Sequence, residues 1–315
     1  MDDASLLYVS DSPESFAAHG RLFHAPLVAT GSVIRLLFDH VNRTASTMSV
    51  IVGVVNTDAN PSSIQVRGGV GGPGGNFMGV GHAATEQYLA AANQNAVTTI
   101  AVPANGYAPI FNATLAPLEC VAGIYDIDCG NSGFAYEVRV IACDPASTFD
   151  AYDVLPEAPD DGKFRRGVFD ITNSAQPQAI GYSGVPTAFE IGALAFPRAA
   201  IDPYGGPPHQ GEYGVLCRFD CNLQGSGAIW LYQSARGGAA TATYLVNGAL
   251  LASHTIPAGP RSKVASFQLV AGQPQAVPIV TMAEINSSYP LQLSFDADDS
   301  TIADAQTGNS PIYSA

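Results

Sequence analysis

The histidines, a run of aspartates, a glycine-rich stretch and one aromatic loop are the residues whose types and spacing could do chemistry here. The histidines are His19, His24, His40, His82, His209 and His254. None is spaced as HxH or HExxH, so no local metal motif exists. A copper-like centre would need His24, His40 and His82 to meet in space, where strand ends approach a helix start; scattered polar or capping histidines are the simpler reading. DADDSTIAD at 296–304 gathers Asp296, Asp298, Asp299 and Asp304, hard oxygen ligands that suit calcium, although the glycine at position 6 and the glutamate at position 12 of an EF-hand loop are missing. Calcium is therefore the one cofactor the sequence offers, against the plainer reading of a solvated acidic loop. GGVGGPGGN at 68–76 matches neither a P-loop nor a dinucleotide fingerprint and no lysine follows it, so it reads as a mobile or tightly turning loop. No GxSxG is present. A glycosidase pair is defined by spatial distance rather than spacing, and the few glutamates fall largely on expected strands or the helix. No catalytic residue is assigned, and an enzyme is the less expected class.

The aromatic loop is DPYGGPPHQGEYG at 202–214, with Tyr204, His209 and Tyr213. Functional loops on rigid scaffolds have this look, and so do turns that bury their tyrosines. Sugar stacking on these three residues is the candidate binding chemistry. Trp230 lies mid-strand and reads as core. Of the five cysteines, Cys217 and Cys221 would close a small loop if a turn lay between them. Cys120 or Cys129 could reach Cys143 across neighbouring strands. The odd count leaves one thiol over, and the absence of CxxC spacing disfavours zinc.

The medium and the partners follow from composition. The 315 residues carry a net charge of −14, yet only 13% are charged and only Lys163 and Lys263 are lysines. Acidity on this scale disfavours nucleic acid and anionic membrane surfaces as partners. A surface of small polar residues, little sensitive to pH, suits the extracellular space or a cell surface. No apolar run approaches the ~18 residues of a membrane span. The start, MDDASLLYVSDSPES, lacks a basic n-region, so an exported protein would already have lost its signal peptide.

Positioning falls to strands. Short runs rich in Val, Ile, Leu, Phe and Tyr, punctuated by turn residues every 8–12 positions, predict an all-β chain of two sandwich domains, immunoglobulin-like or jelly-roll-like. The predicted division is an N-terminal sandwich over 1–144, a linker over 145–163 with three prolines and five acids, and a C-terminal sandwich over 164–315. One helix is expected at 81–93 (GHAATEQYLAAAN), with Ala84, Tyr88 and Ala91 on one face, capping an end of the first sandwich. Pro278 is expected to confine its strand to a sheet edge, and the polar tail from 297 to wrap or fray. Two stretches, 33–56 and 214–237, read alike: a strand ending in Phe-Asp (Phe38–Asp39, Phe219–Asp220), a turn containing Asn42 or Asn222, then a second apolar strand. They predict equivalent hairpins and raise the question of a duplicated sandwich.

Four segments carry a resemblance: FDHVNRT (38–44), RGGVGGPGGNFMGVGHAATEQYL (67–89), YLVNGALL (244–251) and TMAEINSSYPLQLSF (281–295). Together they resemble a family of uncharacterised exported bacterial β-sandwich proteins, often found beside surface-anchoring or copper-amine-oxidase-like domains. The resemblance transfers no catalytic residue, and no copper-ligating or quinone-forming motif is present. Low charge and many small residues favour close lateral packing, so the expected role is that of an extracellular structural or interaction protein on a bacterial surface, acting by display and packing, with copies of itself or other surface proteins as partners. The alternative is a carbohydrate-binding or glycan-active protein using the 202–214 loop.

Overall fold

The computed structural model describes residues 4–27, 33–130, 135–147, 155–163 and 165–298. The described chain forms two compact units: one runs to Thr172 and includes Phe196–His209, and the other comprises Asn173–Ala195 and the described residues from Gln210 on. Both are β-sandwiches, and the only α-helix among the described residues lies in the first.

The first unit contains β1 (Leu6–Ser10), β2 (Ser15–Phe16), β3 (Gly20–Leu27), β4 (Ile34–Asn42), β5 (Met48–Asn56), β6 (Ser62–Gly74), α1 (Phe77–Asn93), β7 (Thr98–Val102), β8 (Gly106–Leu115), β9 (Cys120–Asp128), β10 (Tyr136–Cys143) and β11 (Arg166–Asp170). One sheet has the order β11-β1-β4-β9-β6-β7, with β2 beside β4, and the other β3-β10-β5-β8. The core between them includes Tyr8, Phe23, Phe38, Val52 and Val140. The second unit contains β12 (Gln178–Tyr182), β13 (Thr187–Ile191), β16 (Cys217–Leu223), β17 (Gly227–Ala235), β18 (Ala240–Val246), β19 (Ala249–Ile256), β20 (Arg261–Leu269), β21 (Gln275–Thr281) and β22 (Leu291–Asp296). The short strands β14 (Ala195–Phe196) and β15 (His209–Gln210) mark where the chain leaves this unit and returns to it. Its sheets have the orders β12-β16-β21-β18-β19 and β13-β22-β17-β20, around Phe189, Phe219, Leu231, Ile279 and Phe295.

Strand for strand the two orders coincide: β1-β4-β9-β6-β7 corresponds to β12-β16-β21-β18-β19, and β3-β10-β5-β8 to β13-β22-β17-β20. The parallel pairing of β1 with β4 is repeated by β12 with β16. The two similar stretches therefore occupy equivalent places, on β4–β5 and β16–β17. They are not hairpins, because each turn carries the chain from one sheet to the other. Asn42 does cap its turn: Nδ2 donates to the carbonyls of Ser46 (2.8 Å) and Leu115 (3.0 Å), and Oδ1 accepts the Thr44 N–H (2.9 Å). Asn222 is exposed.

The glycine-rich stretch is not a mobile loop. Most of it continues β6, paired with β9. The helix lies across the outer face of this sheet, on β6 and β9, rather than capping an end. Glycine is what lets it lie there: a Cβ at Gly71 would fall 1.8 Å from the Val80 carbonyl oxygen, and one at Gly69 2.2 Å from the Tyr88 nitrogen. The helix starts at Phe77, before the expected 81, because the Asn76 side chain caps it by accepting the Gly79 N–H (3.2 Å). Val80, Ala84, Tyr88 and Leu89 are its buried apolar side chains, whereas Ala91 is half-buried.

Three further expectations are corrected. The described part of the expected linker is strapped to the first sandwich: Ala158 joins the core, its N–H donates to the Arg21 carbonyl (2.8 Å), and Asp161 accepts the Ser12 hydroxyl (2.8 Å). With β11 paired to β1, the boundary moves to Thr172/Asn173, and 196–209 returns to the first unit. Proline here does not mean a detached connection, since Pro156 accepts the Arg21 N–H through its carbonyl. Pro278 sits in a central strand, β21, because the ladder with β18 ends at Ile279 and the missing N–H falls just beyond it. None of the expected disulfides forms: Cys120, Cys129, Cys143, Cys217 and Cys221 are all buried free thiols. Cys217 and Cys221 share β16, where four residues span about 13 Å, far beyond the ~7 Å limit on Cα separation. Cys120 and Cys129 mark the two ends of β9, and Cys143 ends β10 in the opposite sheet.

Candidate functional site

The residues singled out by their chemistry do not converge. Among the described residues, no group of three or more His, Cys, Asp or Glu side chains could hold a metal ion. His24 lies between two glutamates, Nδ1 3.3 Å from Glu137 and Nε2 3.8 Å from Glu157. Burial would push the Glu137 carboxyl up, but hydrogen bonds from His24 and Arg139 hold it down at about 2. His82 is buried on α1.

His40 enters an arrangement that no local motif reveals. Its Nδ1 lies 3.0 Å from the Pro13 carbonyl, which can only accept, so Nδ1 carries the proton and Nε2 accepts the Ser10 hydroxyl at 2.8 Å. A serine on a histidine held by a third group is the geometry of an activated nucleophile. Here Ser10 and His40 are both 0% exposed, so no substrate reaches the hydroxyl and the pair serves as an internal polar tie. Desolvation drives the imidazole down to about 4, keeping it neutral. The adjoining Asp11 is buried, and desolvation together with Asp39 pushes its carboxyl well above the usual range against the pull of Arg165.

A second buried network lies beneath α1. Arg35 Nε donates to Asp126 Oδ1 (2.8 Å), while Arg67 Nη2 (2.5 Å) and the Tyr88 hydroxyl (2.8 Å) donate to Oδ2. Burial alone would raise the Asp126 carboxyl; the two guanidinium groups outweigh it and hold it below the usual range. These side chains fix the helix to the sheet.

The aromatic loop divides between the units. Tyr204 is an anchor in the first: its hydroxyl donates to the His24 carbonyl (3.0 Å) and accepts the His24 N–H (2.7 Å), and Arg166 lies 4.6 Å over its ring. His209 is buried with its ring 5.0 Å from Phe169. Tyr213, in the second unit, donates to the Ser287 carbonyl (3.0 Å) and meets Tyr289 edge-on. All three make internal contacts, with His209 buried and Tyr204 and Tyr213 half-buried. The nearby Glu212 has a role sequence reasoning missed: Oε2 accepts three successive backbone N–H groups, from Gly192 (2.6 Å), Ala193 (2.8 Å) and Leu194 (3.2 Å), a nest that clasps this loop.

At the expected calcium loop, Asp296 already has a cation, with Oδ2 2.8 Å from Arg261 Nη1, while Oδ1 accepts the Asp298 N–H (2.9 Å). Asp299, Asp304 and the tail beyond lie outside the described residues.

What remains is the surface around Trp230 on the second unit; farther along the same strand face Tyr232 and Ser234 are buried. Along β17, Ile229 and Leu231 point into the core, so Trp230 points out, and it is only half-buried. This corrects its reading as core. Pairing sets Asp296 and Ser266 on either side of it, and Ser294 and Lys263 on either side of Tyr232. The Lys263 ammonium lies 4.9 Å from the Trp230 ring centre, and the Arg261 guanidinium 4.3 Å from that of Tyr232. Gln292 and Ser294 are half-buried here, and Gln268 and Glu190 are exposed. At the Trp230 end of β17, the turns 224–226 and 271–274 enclose a cleft of about 420 Å³ lined by Gln224, Ser226, Gln273 and Pro274.

No family model and no curated protein matches the chain. Among solved structures, a Paenibacillus xanthan lyase aligns over 89% of this chain at 11% identity and a TM-score of 0.21, and the chain spans 23% of that enzyme. The N-terminal CBM22-1–CBM22-2 tandem domain of Paenibacillus barcinonensis Xyn10C aligns over 84% of this chain and 77% of its own, at 10% identity and a TM-score of 0.17. Likenesses this weak carry no argument. No helix among the described residues is long and apolar enough to cross a membrane.

Proposed function

We propose that this protein is a non-catalytic, extracellular or cell-surface β-sandwich protein that binds carbohydrate on the outer face of β13-β22-β17-β20. The carrying observation is Trp230. The only tryptophan of the chain is left half-buried on a sheet face, although its ring would gain about 25 cal/mol for each Å² of apolar surface removed from water. Around it stand hydroxyl, amide and charged side chains, the mixture of one flat apolar surface and many hydrogen-bonding groups that a sugar ring requires. The binding site thus moves from the 202–214 loop to β17 and its neighbours. Self-association takes second place: the exposed large apolar side chains among the described residues, Leu118, Val185, Leu194 and Val270, each lie in a different connection between strands.

The test is intrinsic fluorescence, since a single tryptophan reports from the face itself. A panel of oligosaccharides is expected to shift the emission of the wild type in a saturable way, and Trp230→Ala is expected to weaken binding about tenfold or more by calorimetry without lowering the melting temperature. A panel that leaves emission and heat unchanged would overturn the reading. Light scattering over a concentration series would then decide for or against self-assembly.

A further inference from the structure

We infer that the carbohydrate bound at this face is an uncharged one, and that it runs from Trp230 to the cleft between the turns 224–226 and 271–274, where Gln224 and Gln273 bind it. The inference rests on the glycan-binding reading and deepens it. Burial leaves one way along the strand. Toward Arg236 the face is closed: Tyr232 and Ser234 are buried, the Tyr232 hydroxyl donates to the Asp298 carbonyl (3.0 Å), and the Arg261 guanidinium lies over its ring. In the other direction the outward positions are exposed. Ala228 stands two residues before Trp230 and so on the same side of the sheet; it is exposed, and so is its cross-strand partner Gln268. Beyond them come the exposed Ser226 and the cleft of about 420 Å³, within the size range of pockets that hold a small ligand. From Trp230 to Gly227 is about 10 Å along the strand, so a ligand that reaches both ends is an extended chain rather than a single sugar ring.

This route carries no charge. The segments 224–228 (QGSGA) and 266–274 (SFQLVAGQP) contain neither acid nor base. The charged groups beside Trp230 are engaged: Asp296 is matched by Arg261 at 2.8 Å, and Lys263 lies against the indole ring. What the route offers a ligand is the amides of Gln224, Gln268 and Gln273 and the hydroxyl of Ser226. Each amide has two N–H donors and an accepting carbonyl, which suits sugar hydroxyls, groups that both donate and accept. A carboxylate only accepts, and in a chain of net charge −14 it would leave water for a lining without a cation. The route therefore favours a neutral sugar over the corresponding uronate.

The experiment is calorimetric titration of the full chain with neutral oligoglucosides and oligomannosides, each as a disaccharide and as a longer linear chain, and with an oligogalacturonate of the longer length. It is run at about 50 mM and about 0.5 M salt and repeated for Trp230→Ala and for Gln224→Ala combined with Gln273→Ala. A longer neutral chain is expected to bind about tenfold or more tighter than its disaccharide and than the uronate, with no dependence on salt. The double variant is expected to lose the gain from length while keeping its hold on the disaccharide. Both glutamines stand in exposed turns, so its melting temperature should match that of the wild type. A uronate bound as tightly as the neutral chain would overturn the neutral specificity, and a double variant that binds the longer chain as the wild type does would overturn the route. Either result leaves the glycan face standing, provided Trp230→Ala weakens binding. Binding of no probe, or binding indifferent to Trp230→Ala, would remove the face itself and the inference with it. Melting curves of the variants separate lost binding from lost fold.

Discussion

The two sandwiches share one strand order and differ most at one connection. Between β6 and β7 the first inserts α1; between the equivalent β18 and β19 the second has only the turn Asn247–Gly248, both at positive φ (51° and 76°) as a two-residue hairpin demands. The insertion changes what the neighbouring sheet can carry. β4, in the same sheet, is buried on both faces; of its outward side chains Leu37 and Val41 are apolar, and Arg35 is paired with Asp126 and lies against the Tyr88 ring of α1. The outer face of β13-β22-β17-β20 keeps a half-buried tryptophan among polar groups. The same framework thus yields one unit whose sheet carries a helix on its outer face and one that keeps a half-buried tryptophan on a sheet face.

The contrast can be broken most severely at the glycine seat of the helix. Gly71→Val drives a side chain into the Val80 carbonyl and is expected to cost more than about 4 kcal/mol; chemical denaturation of the purified variant, or its failure to fold, measures it. Next comes Asp126→Asn, which leaves Arg35 and Arg67 buried without their carboxylate. A loss of about 3–5 kcal/mol is expected, and a much smaller loss would mean that water reaches the network.

The third effect depends on pH. His40 has its folded value depressed from 6.5 to about 4, so the unfolded chain takes up its proton first. Stability from this group is fully present above about pH 6.5 and is lost as pH falls toward 4, about 3 kcal/mol in all. Denaturation midpoints across this window should fall in the wild type and flatten in His40→Gln. Glu137, held at about 2 against an ordinary 4.5, extends the decline to lower pH, because its contribution is lost as pH falls from 4.5 toward 2. The smallest effect belongs to the short connection. Gly248→Ala places a Cβ at φ +76°, and the expected cost is about 1–2 kcal/mol, read as a small drop in melting temperature.

How far the sequence could be read follows the range of the interactions. Apolar runs such as 48–57 and 241–247 became strands because a short run of β-branched and apolar residues bounded by turn residues is a local signal, and Ala-rich 81–93 became helix because helix propensity is local as well. The glycine-rich strand was misread because a lack of side chains signals a loop unless a second backbone is known to lie on it. Pro278 misled because its effect depends on where a neighbouring ladder stops. The Asp126 network joins positions 35, 67, 88 and 126, and Ser10 meets His40 across parallel strands; neither leaves a trace in spacing. Tyr204, His209 and Tyr213 were chosen for residue type, which does not tell an anchor from a platform. The facing of Trp230 was open to simple alternation, since Ile229 and Leu231 claim the core on either side of it.

The five buried thiols give the molecule its own gauge of opening. Burial pushes the thiols of Cys120, Cys129 and Cys221 up to about 12, and raises those of Cys143 and Cys217 as well, so in the closed protein there is almost no thiolate to react. A thiol reagent at neutral pH then waits for each sandwich to breathe. Three counters sit in one unit and two in the other, and mass spectrometry of the labelled peptides would time the opening of each separately.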